Sequence, residues 1–314
     1  MVEKRESYFS SNNAVHKVHV ITWIPQDVEV RGILQIAHGM VEFIDRYDAF
    51  ARHMCRQGFI VVGNDHLGHG KTVNNEDEWG YFADENGTEY LVKDMYKLMK
   101  ITKREFKDLP YFLLGHSMGS FLTRNFIIRY GSELTGVIIM GTGNQPLWMV
   151  KLGLLLTRTI ALFRGWKYRS KFINSMAFGS YNKGFQPART EVDWLTRDEA
   201  IVDWYVNEPA CTFTFTIKAY NDMFHGLEFI AQRENLEMMP KDLPVLFISG
   251  DHDPVGGNGK GVLQVCKRFK SIGMKDVSII LYKDGRHEIL NEINRTDVYE
   301  DISKWLTRYF TERD

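Results

Sequence analysis

Short apolar runs alternate with helical patterns along this chain, and that rhythm limits its fold more than any other feature. The runs are Ile33–Ala37, Phe59–Gly63, Tyr111–Leu114, Val137–Met140, Val245–Ile248 and Val277–Leu281. Between them lie predicted helices at Asp45–Gln57, Thr88–Phe106, Met118–Tyr130, Gly261–Ser271 and Thr296–Thr311. Apolar runs of this length, bounded by Gly or Pro and separated by helices, are what a parallel sheet covered on both faces requires. Upstream, Val15–Ile24 alternates like a strand, a turn follows at Pro25, Gln26 and Asp27, and Val28–Ala37 resumes the strand pattern. The rhythm breaks after Gly143: from Asn144 to Pro240 there are helical stretches and many aromatics but no clear strand. The pattern therefore predicts an α/β core in two parts, 1–143 and 241–314, interrupted by a helical insertion at 144–240.

Composition supports a packed core and removes several function classes. Of 314 residues, 44% are hydrophobic and 25% charged, with a formal net charge of −1. A balance that flat gives no support for nucleic-acid binding, which calls for a basic domain. Three cysteines without a CxxC pair argue against a disulfide framework or a zinc ribbon and fit reduced thiols. The N-terminal segment is polar, without a signal-type apolar stretch, and the most apolar run, Leu147–Phe163, holds Lys151 and Arg158 and is a poor membrane span. The expectation is a soluble, cytoplasmic protein.

The chemistry concentrates at the ends of the predicted strands. Tyr111–Leu114 runs directly into GHSMG (from Gly115), and a helix pattern follows. This is G-x-S-x-G between strand and helix: a sharp turn strains the serine, small flanking residues let strand and helix approach, and the Ser117 hydroxyl is lifted above the sheet edge. A serine hydroxyl is a weak nucleophile and needs a base, an orienting acid and an oxyanion hole. After Ser117 come three histidines, His225, His252 and His287. His225 lies in the insertion. His287 follows the last strand, at the carboxyl edge where open α/β sheets bind ligands, and is the predicted base. The acid is expected after Val245–Ile248, where Asp253 is preferred because Pro254 stiffens its loop, with Asp251 as the alternative. The backbone N–H groups of Met118, after the serine, and Met40, after the strand ending at Ala37, are the candidate oxyanion donors.

Three other patterns point to weaker chemistry. Asp65, His66 and His69 have metal-like spacing but no further ligand cluster nearby, so no metal is expected. GGNGKG (from Gly256) departs from P-loop spacing, and Gly141 and Gly143 lack the third glycine of a dinucleotide fingerprint. No cofactor is predicted.

Four parts in the right chain order, each at a strand end, resemble the serine hydrolases of the monoacylglycerol lipase and lysophospholipase type. The matching segments are HGMVEFIDRY (from His38), GNDHLGHGKT (from Gly63), GHSMG (from Gly115), SGDHDPVG (from Ser249) and GRHEILNE (from Gly285). The resemblance spans nearly the whole chain and implies an α/β-hydrolase fold: a mostly parallel sheet flanked by helices, with a mobile helical cap inserted between two core strands. It implies Ser117, Asp253 and His287 as a triad, with the Met40 and Met118 amides as the oxyanion hole. Glu42 matches a family glutamate near the oxyanion loop, with no chemical role assigned to it.

The insertion bears on the substrate. Residues 134–190 contain no Asp or Glu and eight basic side chains: Lys151, Arg158, Arg164, Lys167, Arg169, Lys171, Lys183 and Arg189. That segment carries +8, so the remainder carries −9 and the flat total conceals a local asymmetry. The segment suits either a cap helix packed on the core with its cationic residues solvated or, given its Leu, Trp, Met and Phe content, an apolar entrance rimmed by positive charge, able to make weak peripheral contact with anionic lipid. The expected substrate is a small-molecule or lipid ester with a medium or long acyl chain. Two alternatives stand beside it. An aminopeptidase or amidase on the same scaffold would bind a substrate amine through Glu191, Asp193, Asp203 or Glu208; a non-catalytic binding protein would use the same pocket.

Overall fold

The computed structural model describes residues 1–310, with eight strands in one sheet. The strands are β1 (Val2–Ser10), β2 (Lys17–Pro25), β3 (Gly32–Ala37), β4 (Phe59–Asn64), β5 (Tyr111–His116), β6 (Gly136–Met140), β7 (Val245–Gly250) and β8 (Val277–Tyr282). Their spatial order is β1-β2-β4-β3-β5-β6-β7-β8. β1 and β2 are antiparallel to their neighbours, and the six from β4 to β8 pair parallel.

In the chain, α1 (Asp48–Arg56), α2 (Gly87–Glu105) and α3 (Met118–Tyr130) precede β6. The segment between β6 and β7 is helical among the described residues: α4 (Leu147–Arg164), α5 (Lys171–Phe178), α6 (Glu199–Asn207), α7 (Ile217–Ala231) and α8 (Arg233–Glu237). Then come α9 (Lys260–Ser271) and α10 (Arg295–Thr307). The sheet is covered on both faces. Phe112, Leu114, Ile138 and Ile248 pack with α1 and α10 on one side. Tyr111 and Leu113 meet α2 and α3 on the other, where Val137, Ile139 and Phe247 meet α9. Adjacent residues of one strand enter different cores because side chains alternate across a strand. Hence each run is apolar throughout.

Four local differences separate the structure from the sequence reading. β1 lacks a recognisable apolar pattern because it is an edge strand, held by its register with β2 from Val2↔Pro25 to Ser10↔Lys17 and largely exposed. Residues 28–31 do not belong to β3, which starts at Gly32. The first predicted helix opens with a separate 3₁₀ turn, Ile44–Tyr47, before α1. The last predicted helix stops at Thr307, and its predicted end at Thr311 lies outside the described residues. No helix among the described residues is long and apolar enough to cross a membrane.

Candidate active site

Ser117 stands between β5 and α3 with φ 52° and ψ −118°. A positive φ costs a non-glycine residue on the order of 1–3 kcal/mol, so the surrounding packing must enforce it. The glycines make that packing feasible. A Cβ on Gly119 would lie 2.0 Å from the Ala37 carbonyl oxygen, and one on Gly115 would lie 2.2 Å from Thr123 Oγ1. The Ser117 amide donates to the Met140 carbonyl at 3.0 Å, tying the turn to β6. Met118 is the first residue of α3, where a helix leaves its N–H groups without intrahelical acceptors.

His287 and Asp253 meet behind the serine turn. His287 Nδ1 lies 3.0 Å from Asp253 Oδ1, and both side chains are buried. Asp253 Oδ1 also accepts from the Val255 amide at 2.9 Å, and Oδ2 from Ser249 Oγ at 3.2 Å. Burial opposes the charge on Asp253, but the neighbouring His287 outweighs it and holds the carboxyl below the usual range. Asp251 is elsewhere, bonded to His252 Nδ1 at 2.7 Å on the surface side of the loop. Of the two acids, the fold brings Asp253 to His287. Asp251 and His252 lie near Asp284 in an exposed group with metal-type ligand atoms. His225 is on α7, 3.4 Å from Arg158 Nη2.

Glu42, which had no role from sequence, is the centre of a buried polar network. It accepts the Gly39 amide, the Tyr47 hydroxyl at 3.0 Å, Arg46 Nη1 at 2.9 Å and His116 Nδ1 at 2.9 Å. Arg46 also forks onto both oxygens of Glu288 at 2.8 Å, and Glu288 follows His287 in the chain. Bidentate pairs of this kind fix orientation as well as charge. The network thus joins three loops: the one bearing Met40, the serine turn and the His287 loop. Burial opposes ionisation of Glu42, but His116 and Arg46 prevail and its pKa is lowered. Burial likewise opposes a charged His116, yet its bond to Glu42 prevails and its pKa is raised. Both ring nitrogens of His116 face acceptors, Glu42 and, at 3.4 Å, the His287 carbonyl, so a doubly protonated ring fits the site. Sequence could have flagged Arg46 and His116 only through their closeness to the motifs.

The metal-like trio is differently occupied. Asp65 accepts from the Ile44 and Lys71 amides and lies 2.8 Å from His19 Nδ1. His66 and His69 are buried, which drives the His66 pKa well below its ordinary value and lowers that of His69 to about 3, so both rings are neutral.

Ser117 and His287 line one cavity of about 920 Å3 beneath the cap. Its apolar wall includes Met40, Phe178, Trp194, Leu195 and Phe213; Asn174, Thr190 and Glu191 supply polar groups. Its size is near the upper end of the roughly 300–1,000 Å3 common to ligand pockets. Of the carboxylates considered for an amine, Glu191 lines it. Asp193 accepts the Arg189 and Thr190 amides, Asp203 pairs with Arg189, and Glu208 accepts the Ala210 amide.

The family model described as serine aminopeptidase, S33, matches residues 28–294, and the chain belongs to that family of α/β-hydrolases. Among solved structures it is similar to a highly thermostable carboxyl esterase from Bacillus coagulans in complex with glycerol, with TM-score 0.91, 30% identity and coverage of 98% of this chain and 99% of that one. It is 24% identical over 309 residues to a monoacylglycerol lipase from Mycolicibacterium smegmatis, covering 98% of each chain. It is also 24% identical to the phospholipase YtpA from Bacillus subtilis, covering 88% of this chain and 95% of the other. The chain is therefore a serine-hydrolase-like α/β-hydrolase, related to hydrolases of monoacylglycerol lipase and esterase type.

Proposed function

We propose that this chain hydrolyses carboxylic esters of single-chain lipids, of monoacylglycerol or lysophospholipid type, through an acyl-serine intermediate. The carrying observation is that Ser117, on its strained turn, and His287, bonded to Asp253, open onto one cavity with an apolar wall beside polar groups. His287 takes the Ser117 proton as Oγ attacks the ester carbonyl. The Met40 and Met118 amides hold the developing oxyanion, and one such donor is worth about 3 kcal/mol of barrier. Asp253 fixes the tautomer of His287 and stabilises its charged form. The alcohol leaves with the proton from His287, and water activated by the same ring releases the acid.

The lipid part of the reading is supported by the cavity wall and by the outer face of the cap. On α4, Trp148, Leu152, Leu155, Leu162 and Phe163 face solvent, among Lys151, Arg158 and Arg164. An exposed apolar face with basic flanks suits an anionic lipid surface that carries substrate. The relatives named as a monoacylglycerol lipase and a phospholipase agree with such a substrate.

The test is fluorophosphonate labelling competed by monoacylglycerols, lysophospholipids and aminoacyl amides. Wild-type protein labels and hydrolyses long acyl esters in preference to acetyl esters, whereas Ser117→Ala does neither and keeps its melting temperature. Labelling of Ser117→Ala overturns the nucleophile, and preference for acetyl esters overturns the lipid substrate. The family description and Glu191 favour an amidase as the second reading; release of amine from aminoacyl amides without turnover of esters would select it.

A further inference from the structure

The loop that carries His287 is bonded to the cap more extensively than to its own sheet. The His287 amide donates to the Trp194 carbonyl at 3.3 Å, and the Glu288 amide to the Leu195 carbonyl at 2.7 Å. Both acceptors belong to the segment just before α6. The Trp194 indole also lies against the His287 ring, with centroids 5.1 Å apart.

Side chains lock these two rungs from either end. Arg286 donates to the Asp193 carbonyl and, at 3.1 Å, to the Thr196 carbonyl, while its guanidinium lies over the Phe185 ring. Glu292, which is 1% exposed, accepts the Arg286 amide at 2.9 Å on one side and Arg197 Nε at 2.9 Å on the other. Arg197 Nη2 reaches Asn294 Oδ1 at 2.9 Å, Thr196 Oγ1 donates to the Asn291 carbonyl at 2.9 Å, and Arg295 pairs with Asp198 at 2.9 Å. Buried polar groups need such partners, and of the partners that the loop 286–295 finds outside itself, residues 193–198 supply the larger share.

We infer that residues 193–198 of the cap are a positioning element for His287, so that the cap shapes the catalytic base as well as covering it. Asp253 holds the ring from the side chain, and His116 and Arg46 hold the His287 carbonyl and Glu288 from the core, whereas the strap from the cap takes the main-chain amides of His287 and Glu288. A catalytic group displaced by about 1 Å can lose on the order of a hundredfold in rate, so a loosened strap acts on turnover before it acts on binding. Arg197 is the key tether. It carries the buried Glu292 carboxylate, which in turn holds the Arg286 amide next to His287.

This inference rests on His287 being the general base of the proposed esterase. Its test is the steady-state hydrolysis of a short, soluble p-nitrophenyl ester by full-length wild type, Arg197→Ala, Arg197→Lys and Thr196→Val, together with the fluorophosphonate inactivation rate and melting temperature of each. The expected result is about a tenfold lower kcat for Arg197→Ala with KM within twofold, a parallel fall in inactivation rate, and partial recovery in Arg197→Lys. Thr196→Val, which loses the bond to the Asn291 carbonyl and the one accepted from the Asp198 amide at nearly constant volume, shows a smaller loss in kcat and decides the matter if Arg197→Ala does not fold. Unchanged kcat in folded variants overturns the inference, whatever the change in melting temperature. A loss that falls on KM and is confined to long acyl esters also overturns it, because it assigns the strap to the substrate wall. A wild type that neither labels nor turns over rejects the esterase reading instead.

Discussion

Glu42 is one carboxylate serving four donors, and its removal should be costly in two ways. In Glu42→Ala the Arg46 and His116 groups remain buried with less compensation, and the Gly39 amide is released. Breaking a buried pair from one side costs about 3–5 kcal/mol, which chemical denaturation would measure. The same variant should lose on the order of tenfold or more in kcat, because the loop bearing Met40 is no longer held. His116 offers a pH test. Its ordinary pKa is 6.5, and the folded value is raised by Glu42 against the opposing effect of burial. A raised folded pKa means that its stabilisation is complete below about pH 6.5 and is lost as pH rises through the folded value. The stability gap between wild type and His116→Asn should therefore be widest at acid pH and shrink toward pH 9; urea unfolding that shows the gap growing with pH would contradict the network. Asp253 has the opposite sign, since its lowered pKa contributes above the ordinary carboxylate range and is lost only on strong acidification.

At the level of elements, the turn from β5 to α3 depends on contacts that neither element makes alone. Gly119 lies where the first turn of α3 meets the end of β3, and the Ala37 carbonyl leaves no room for a methyl group. Gly119→Ala should destabilise the fold by about 3 kcal/mol or more and abolish fluorophosphonate labelling, because the turn has to open to admit the Cβ. The serine motif was legible because G-x-S-x-G followed an apolar run and preceded a helix pattern. The edge strand β1 was not legible. Its sequence, VEKRESYFS, has too little buried surface to leave a pattern, and what makes it a strand is the hydrogen-bonding edge of β2.

The molecule as a whole divides its labour between a rigid sheet and a cap with two kinds of surface. One part of the cap, α4, turns apolar side chains outward: Leu162 is 84% and Phe163 83% exposed. An 18-residue helix is about 27 Å long, enough to lie along a lipid surface and present that face. On the proposed lipid approach, Leu162→Ser with Phe163→Ser reduces co-sedimentation with anionic vesicles several-fold and leaves short-ester kcat unchanged. Added salt should weaken wild-type binding, because the basic flanks act through screened charge. Equal binding of wild type and variant would remove the membrane from the proposal. The other part of the cap, residues 193–198, faces inward to the His287 loop, so the two parts can be separated by mutation.

The amino-acid pattern already specified the sheet strands from β2 to β8, the helices that cover them, the helical nature of the segment between β6 and β7, and the strand ends that bear Ser117, Asp253 and His287. These were legible because burial on both faces writes itself into short apolar runs, and turn chemistry into local motifs of Gly, Ser, Asp and His. The loop chemistry favoured Asp253 over Asp251, and the fold bonds it to His287, since both acids follow the same strand and only one carboxylate is directed inward. The closed fold alone pairs Glu42 with His116, Arg46 with Glu288, and Trp194 and Leu195 with the amides of His287 and Glu288. Those contacts join residues as far apart as Arg46 and Glu288, and no local pattern encodes a hydrogen bond whose two partners meet only after the chain has closed around its sheet.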